Sequence, residues 1–212
     1  MNLSKFDTKG QEFFVNLEIL KNAEKFASEI LGSNASGHDC GHCLRVKNIA
    51  MDIVSHYACD GNLVALSALL HDIDDEKIFG ANRHEHLIEF CKLNHIDLIC
   101  KDKMIAIIDF LSLDKKDDSV SIETKIVQDA DNLDALGAIG LARMFAFGGA
   151  NGKVLYDASN KDSFSHFYQR LIKLPKLMNT IYAKEEAEKR LNFMSKFVEQ
   201  FKLEIHQGDC NG

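Results

Sequence analysis

The chain has 212 residues, 46% of them apolar, with 32 acidic against 25 basic side chains and a net charge of -7. That length can enclose one sizeable core, and that charge gives no electrostatic footing for binding a nucleic-acid duplex. No apolar run approaches the roughly 20 residues that cross a bilayer. The opening MNLSKFDTKGQEFF lacks a signal-peptide layout, so a cytoplasmic protein without membrane attachment is expected.

Proline occurs once, at Pro175, and the alternating β-branched runs of strands are missing, whereas helical spacing recurs throughout. Phe13, Leu17, Leu20, Ala23, Ala27 and Ile30 trace one face of a first helix, and Val46, Ile49, Ala50, Ile53 and Val54 a second. The run from Leu63 to Leu70 is apolar nearly all round, as expected of a central buried helix. Leu87, Phe90 and Cys91 fit a further helix, and Met104, Ile105, Ile107, Ile108 and Leu111 the next. Ile122, Ile126, Ala130, Leu133 and Gly137 carry the period into the small-residue stretch GAIGLA, which permits close helix contact. The longest periodic segment is the tail, through Ala187, Leu191, Met194, Val198 and Phe201. Acidic or glycine-rich breaks fall near 32–39, 57–62, 113–119 and 148–162. The expected architecture is all-α: one domain over 1–212, with a motif core at about 36–137 and C-terminal helices at about 162–205.

The heptapeptide GHDCGHC, from Gly37 to Cys43, admits two chemistries. Cys40 and Cys43 form a C-x-x-C, but a thioredoxin-type site needs a βαβ framework, and structural zinc needs two more ligands at matching spacing. The other cysteines, Cys59, Cys91, Cys100 and Cys210, are scattered singly. Cys40 and Cys43 are therefore read as packing residues. The imidazole reading links His42 to two distant segments, His71-Asp72 in SALLHDIDDEK and Asp131 in VQDADNLDALG. A His-Asp pair ending an apolar helix is costly to bury without partners. A metal offsets that cost, and two imidazoles with two carboxylates suit Mn²⁺, Fe²⁺, Ni²⁺, Mg²⁺ or Zn²⁺ rather than thiolate-loving ions.

The order of these motifs resembles the HD-domain superfamily of metal-dependent phosphohydrolases. Within one bacterial single-domain branch the likeness extends to SGHD-x-x-H-x-x-RV, ALLHDIDDxK, VQDADNLDALGAIGLAR, HFYQRLIKLPKLMNT and AEKRLNFMSKF, covering roughly residues 13 to 204. The departure is Cys40-Gly41, where bulky aromatics are common in that branch. The resemblance implies a helical HD-type fold with one divalent metal ion held by His42, His71, Asp72 and Asp131. Asp129 is the rival to Asp131, although helical geometry swings it well away. The implied activity is hydrolysis of a nucleotide or another small phosphate ester, in this branch a nucleoside triphosphate with release of pyrophosphate. A nucleoside monophosphate phosphatase and a non-catalytic metal- or nucleotide-binding regulator are the alternatives.

Around such a metal, phosphate chemistry needs a water activator and cations. Asp75, three residues after Asp72, is the candidate to orient or deprotonate water, with Lys77 beside it as a further catalytic candidate. Asp74 and Glu76 are expected to face solvent. Arg45, three residues after His42 on one helix face, and Arg143 are candidate phosphate binders. His38 is a candidate site-lining residue, and Asp39 a candidate helix cap. The Gly148–Lys153 stretch has no Walker pattern and reads as a connection. His56, His84, His86, His95, His166 and His206 are assigned to surface or packing, with His166 singled out because it sits in a branch motif.

Overall fold

Apolar spacing becomes burial in the expected places. The structure, a computed structural model, describes residues 4–6, 12–14, 17–32, 40–76, 80, 83–111, 116–157 and 161–208. Its elements are β1 (Ser4–Phe6), β2 (Glu12–Phe14), α1 (Leu17–Leu31), α2 (Cys40–Val54), α3 (Gly61–Leu70), α4 (Glu85–Leu93), α5 (Leu98–Leu111), α6 (Ile122–Asp134), α7 (Gly137–Ala150), α8 (His166–Gln169), a 3-10 helix (Leu171–Leu177) and α9 (Ile181–Gly208). Among the described residues, no single helix is long and apolar enough to cross a membrane.

The centre is α3, where all residues except Asn62 are buried. Asp60 caps its start by accepting from the Leu63 amide, a contact of the kind that contributes about 1 kcal/mol. Helices α1, α2, α5 and α6 surround α3, and α2 also packs along α6. Ser121 caps α6 by accepting from the Thr124 amide. The long α9 rests on α6, α7 and the 3-10 helix through Ala183, Ala187, Met194 and Val198, and one apolar cluster runs from Ala23 to Val198.

Two local expectations change. Phe13 belongs to a strand rather than to the first helix: Glu12–Phe14 pairs antiparallel with Ser4–Phe6, with Lys5 opposite Phe13. The hairpin is three residues on each side, so the architecture remains helical. The period running through Gly137 also does not continue one helix. Gly137 adopts φ +78°, a left-handed conformation that glycine takes without a Cβ penalty, and α7 leaves α6 at 69°. Behind that corner, a Cβ on Gly140 would clash with the Ala135 carbonyl, which accounts for glycine at that position.

Candidate metal centre

Each element delivers one part of the cluster. His42 lies on the buried face of α2 with Cys43, Val46 and Ala50. His71 is the C-cap of α3, and Asp72 follows in the turn that ends it. Asp131 and Asp134 stand three apart on α6, close on one helical face, and they bracket the His42 ring.

The separations are short. His42 Nε2 is 3.2 Å from His71 Nε2, 3.5 Å from Asp72 Oδ2 and 3.4 Å from Asp131 Oδ1. His71 Nε2 is 3.3 Å from Asp72 Oδ1 and 3.8 Å from Asp131 Oδ1. His42, His71 and Asp72 are buried, with ligand atoms all within 4.8 Å of one another, and Asp131 closes the cluster on its more exposed side.

The other ring nitrogens decide what these atoms are. His71 Nδ1 lies 3.0 Å from the Ala68 carbonyl oxygen, which can only accept, so Nδ1 carries the proton. His42 Nδ1 lies 2.7 Å from Asp134 Oδ2, a carboxylate held ionised, and donates to it. In the neutral rings both Nε2 atoms are therefore lone pairs, facing each other and two carboxylates. Four acceptors around one point suit a shared positive charge, a metal ion or a proton. Ligands about 2.1 Å from a single ion stand about 3.0 to 3.4 Å apart in octahedral or tetrahedral geometry, close to the observed spacings. The residues fit one divalent ion with nitrogen and oxygen ligands.

Without a metal, a proton takes that place. Burial alone would lower the His42 pKa, but hydrogen bonds to Asp131 and Asp134 and the charges of Asp131 and Asp72 raise it to about 9. Desolvation works against the ionised Asp131, yet the His42 hydrogen bond and the charges of His71 and His42 hold its pKa below the ordinary value. Asp134 is also desolvated, but His42, Arg45 and Arg143 hold it well below the usual carboxylate range.

Arg45 and Arg143 do not stand as solvated surface charges. Arg45 grips Asp134 through Nε to Oδ1 at 2.7 Å and Nη2 to Oδ2 at 3.0 Å, while Arg143 Nη1 reaches Oδ2 at 2.5 Å. Asp134 is the residue that sequence reasoning missed. Its signal was available in its spacing of three from Asp131.

Asp129 sits elsewhere. Fully buried, it accepts from the Asn179 and Thr180 amides at 2.8 and 2.7 Å and from the Thr180 hydroxyl at 2.7 Å, anchoring the start of α9. Asp74 corrects the expectation of a solvent-facing side chain. Only 3% exposed, it accepts from the His86 and Leu87 amides and from His86 Nδ1 at the start of α4. The unsatisfied amides of a helix start explain its inward turn. Glu76 is exposed. Asp75 lies partly buried just past the His-Asp turn, its amide donating to the Asp72 carbonyl at 3.2 Å. Lys77, His38 and Asp39 lie outside the described residues.

Cys40, Cys43, Cys59, Cys91 and Cys100 are free thiols, with Cys43 packed in the core. His56 stacks on Tyr182, and His84 pairs with Asp109 at 2.8 Å. His166 is half-buried on α8; burial lowers its pKa, as do the charges of Arg170 and Lys153. Gly148, Gly149 and Ala150 correct the expected connection: they complete α7, with Gly148 packed close against Ser163, and the chain leaves the helix only at Asn151.

Comparison with known proteins gives the family of the chain. Residues 40–136 match the HD domain family model. Bacillus subtilis YpgQ is 37% identical over 199 residues, covering 88% of this chain and 95% of its own. The crystal structure of YpgQ in complex with ADP superposes with a TM-score of 0.77 at 34% identity, covering 89% of this chain and 95% of that one. An HD-superfamily hydrolase from Bacillus thuringiensis gives a TM-score of 0.73 at 37% identity, covering 89% and 97%. The motif order, the helical fold and these relatives agree: the chain belongs to the HD-domain superfamily and is a hydrolase of that superfamily.

Proposed function

We propose that this protein is a metal-dependent phosphohydrolase acting on a nucleotide, cleaving nucleoside triphosphates to the monophosphate and pyrophosphate. The observation that carries the reading is the convergence of two imidazole nitrogens and two carboxylates within 3.2 to 3.8 Å, spacings that match ligands sharing one divalent ion. His42, His71, Asp72 and Asp131 would hold the ion, with Mn²⁺, Fe²⁺, Ni²⁺, Mg²⁺ and Zn²⁺ as the chemically suited choices. When bound, such an ion lowers the pKa of water and draws charge from a phosphoryl oxygen.

The chain's own residues supply the rest. Asp131 is the most exposed of the four, so substrate approaches from its side. Two guanidinium groups, Arg45 and Arg143, converge on Asp134 beside the cluster, and their planar forks suit a phosphate that approaches it. Asp75, just past the His-Asp turn, is assigned to orienting or deprotonating the attacking water. The complex of YpgQ with ADP supports a nucleotide as the ligand here.

The test is to incubate metal-loaded protein with nucleoside mono-, di- and triphosphates and resolve the products by anion-exchange chromatography. Monophosphate and pyrophosphate from triphosphates are expected. Orthophosphate released from monophosphates would make the protein a phosphatase instead. Tight nucleotide binding with no product would make it a regulator.

A further inference from the structure

We infer that Asp134 is the positioning residue of the metal centre: its carboxylate keeps the proton of His42 on Nδ1, and so keeps Nε2 able to bind metal. The inference rests on the reading of His42 as a metal ligand and extends it to a residue outside the ligand set.

The crowding around His42 Nδ1 carries the argument. Among the described residues, that nitrogen lies 2.7 Å from Asp134 Oδ2 and 3.0 Å from Arg143 Nη1. A guanidinium can only donate. Beside an imidazole without a competing acceptor, it would donate to the Nδ1 lone pair and move the ring proton to Nε2. That tautomer presents N–H to the cluster and cannot ligate. Asp134 Oδ2 prevents this by accepting from Arg143 and from His42 Nδ1 together. The tautomer is thus decided by a carboxylate 92 residues away in sequence, buried to 1% exposure.

The same geometry explains why the residue must be an aspartate. Oδ1 accepts from Arg45 Nε, while Oδ2 accepts from Arg45 Nη2, Arg143 Nη1 and His42 Nδ1. Both oxygens face donors. An asparagine offers one oxygen and one NH₂. With its nitrogen in the Oδ1 position, it meets the Arg45 N–H. With its nitrogen in the Oδ2 position, it meets two guanidinium groups, and His42 is the neighbour that can yield by changing tautomer. Neither orientation satisfies the set. Arg45 and Arg143 accordingly balance the buried charge of Asp134.

The experiment compares Asp134→Asn with the parent, using Zn²⁺ as a diamagnetic probe. Zinc affinity is measured by chelator competition under conditions where both proteins are folded, and the His42 ring is followed by ¹H–¹⁵N NMR. In the zinc-saturated parent, His42 should show a hydrogen-bonded, slowly exchanging Nδ1 proton. Asp134→Asn should lose that protection and bind zinc about 10- to 100-fold more weakly, the usual cost of removing a partner behind a metal-ligating histidine. Asp129→Asn, which disturbs a buried carboxylate of the same helix away from the ring, should leave both readouts unchanged. Zinc affinity within about 3-fold of the parent, with the protected proton retained, would overturn the inference. If Asp134→Asn does not fold, the parent alone decides: zinc bound through His42 Nδ1, or an unprotonated Nδ1, would overturn it equally. A parent that binds no zinc at His42 would instead remove the metal-ligand reading on which the inference rests.

Discussion

Asp129→Ala separates a carboxylate that holds the fold from the carboxylate two residues later that faces His42 and His71. Asp129 is 0% exposed and receives the Asn179 and Thr180 amides, the Thr180 hydroxyl and, at 3.0 Å, the Asn179 side-chain amide. The Thr180 hydroxyl in turn accepts from the Ala183 amide, so one carboxylate supports the cap of α9. Removing it orphans two backbone N–H groups, each costing about 1 to 3 kcal/mol when buried. Part of that loss returns, because desolvation raises the Asp129 pKa and its charge is no longer buried. The net expectation is a loss of about 3 kcal/mol, or roughly 6 to 12 °C in Tm for a domain of this size. Urea unfolding measures it as a fall in midpoint at unchanged slope. Metal content of the folded variant should match the parent. A stability change under about 0.5 kcal/mol would refute the anchoring role, and loss of metal from a still-folded variant would move Asp129 into the ligand set.

The pH dependence follows from His42. Its folded pKa of about 9 lies above the ordinary 6.5, so in chelator-treated protein it contributes stability below about pH 6.5 that is lost as pH rises through 9, about 3 kcal/mol at most. Thermal melts from pH 6 to 10 should show that decline without metal, while metal affinity rises over the same window because binding must displace the proton. Asp75→Asn should retain metal and lose about 10²- to 10⁴-fold in single-turnover hydrolysis at saturating metal; an unchanged rate removes Asp75 from the chemistry. Replacing Cys40 and Cys43 together by Ser should leave metal content and hydrolysis nearly intact, whereas His71→Ala should lose both. The opposite pattern, by elemental analysis of purified protein, would restore the sulfur reading.

Most of the helices were legible from apolar spacing alone, because a 3.6-residue period marks which face of a helix must be buried whatever it packs against. His71-Asp72 was legible too, since a His-Asp pair ending an apolar helix is costly without a partner, and the resemblance to HD-domain proteins joined His42 and Asp131 to it. Along α6 the sequence sets only relative direction: Asp129 and Asp131 diverge by about 200° around the axis, while Asp131 and Asp134 lie about 60° apart. Which direction faces α2 and which faces α9 depends on how α6 is rotated against its neighbours, and packing alone decides that. The inward turn of Asp74, the corner at Gly137 and the grip of Arg45 and Arg143 on Asp134 arise in the same way. The proton on His42 is the clearest case. Its position depends on a carboxylate and a guanidinium brought from 92 and 101 residues away, a contact that helical periodicity does not encode.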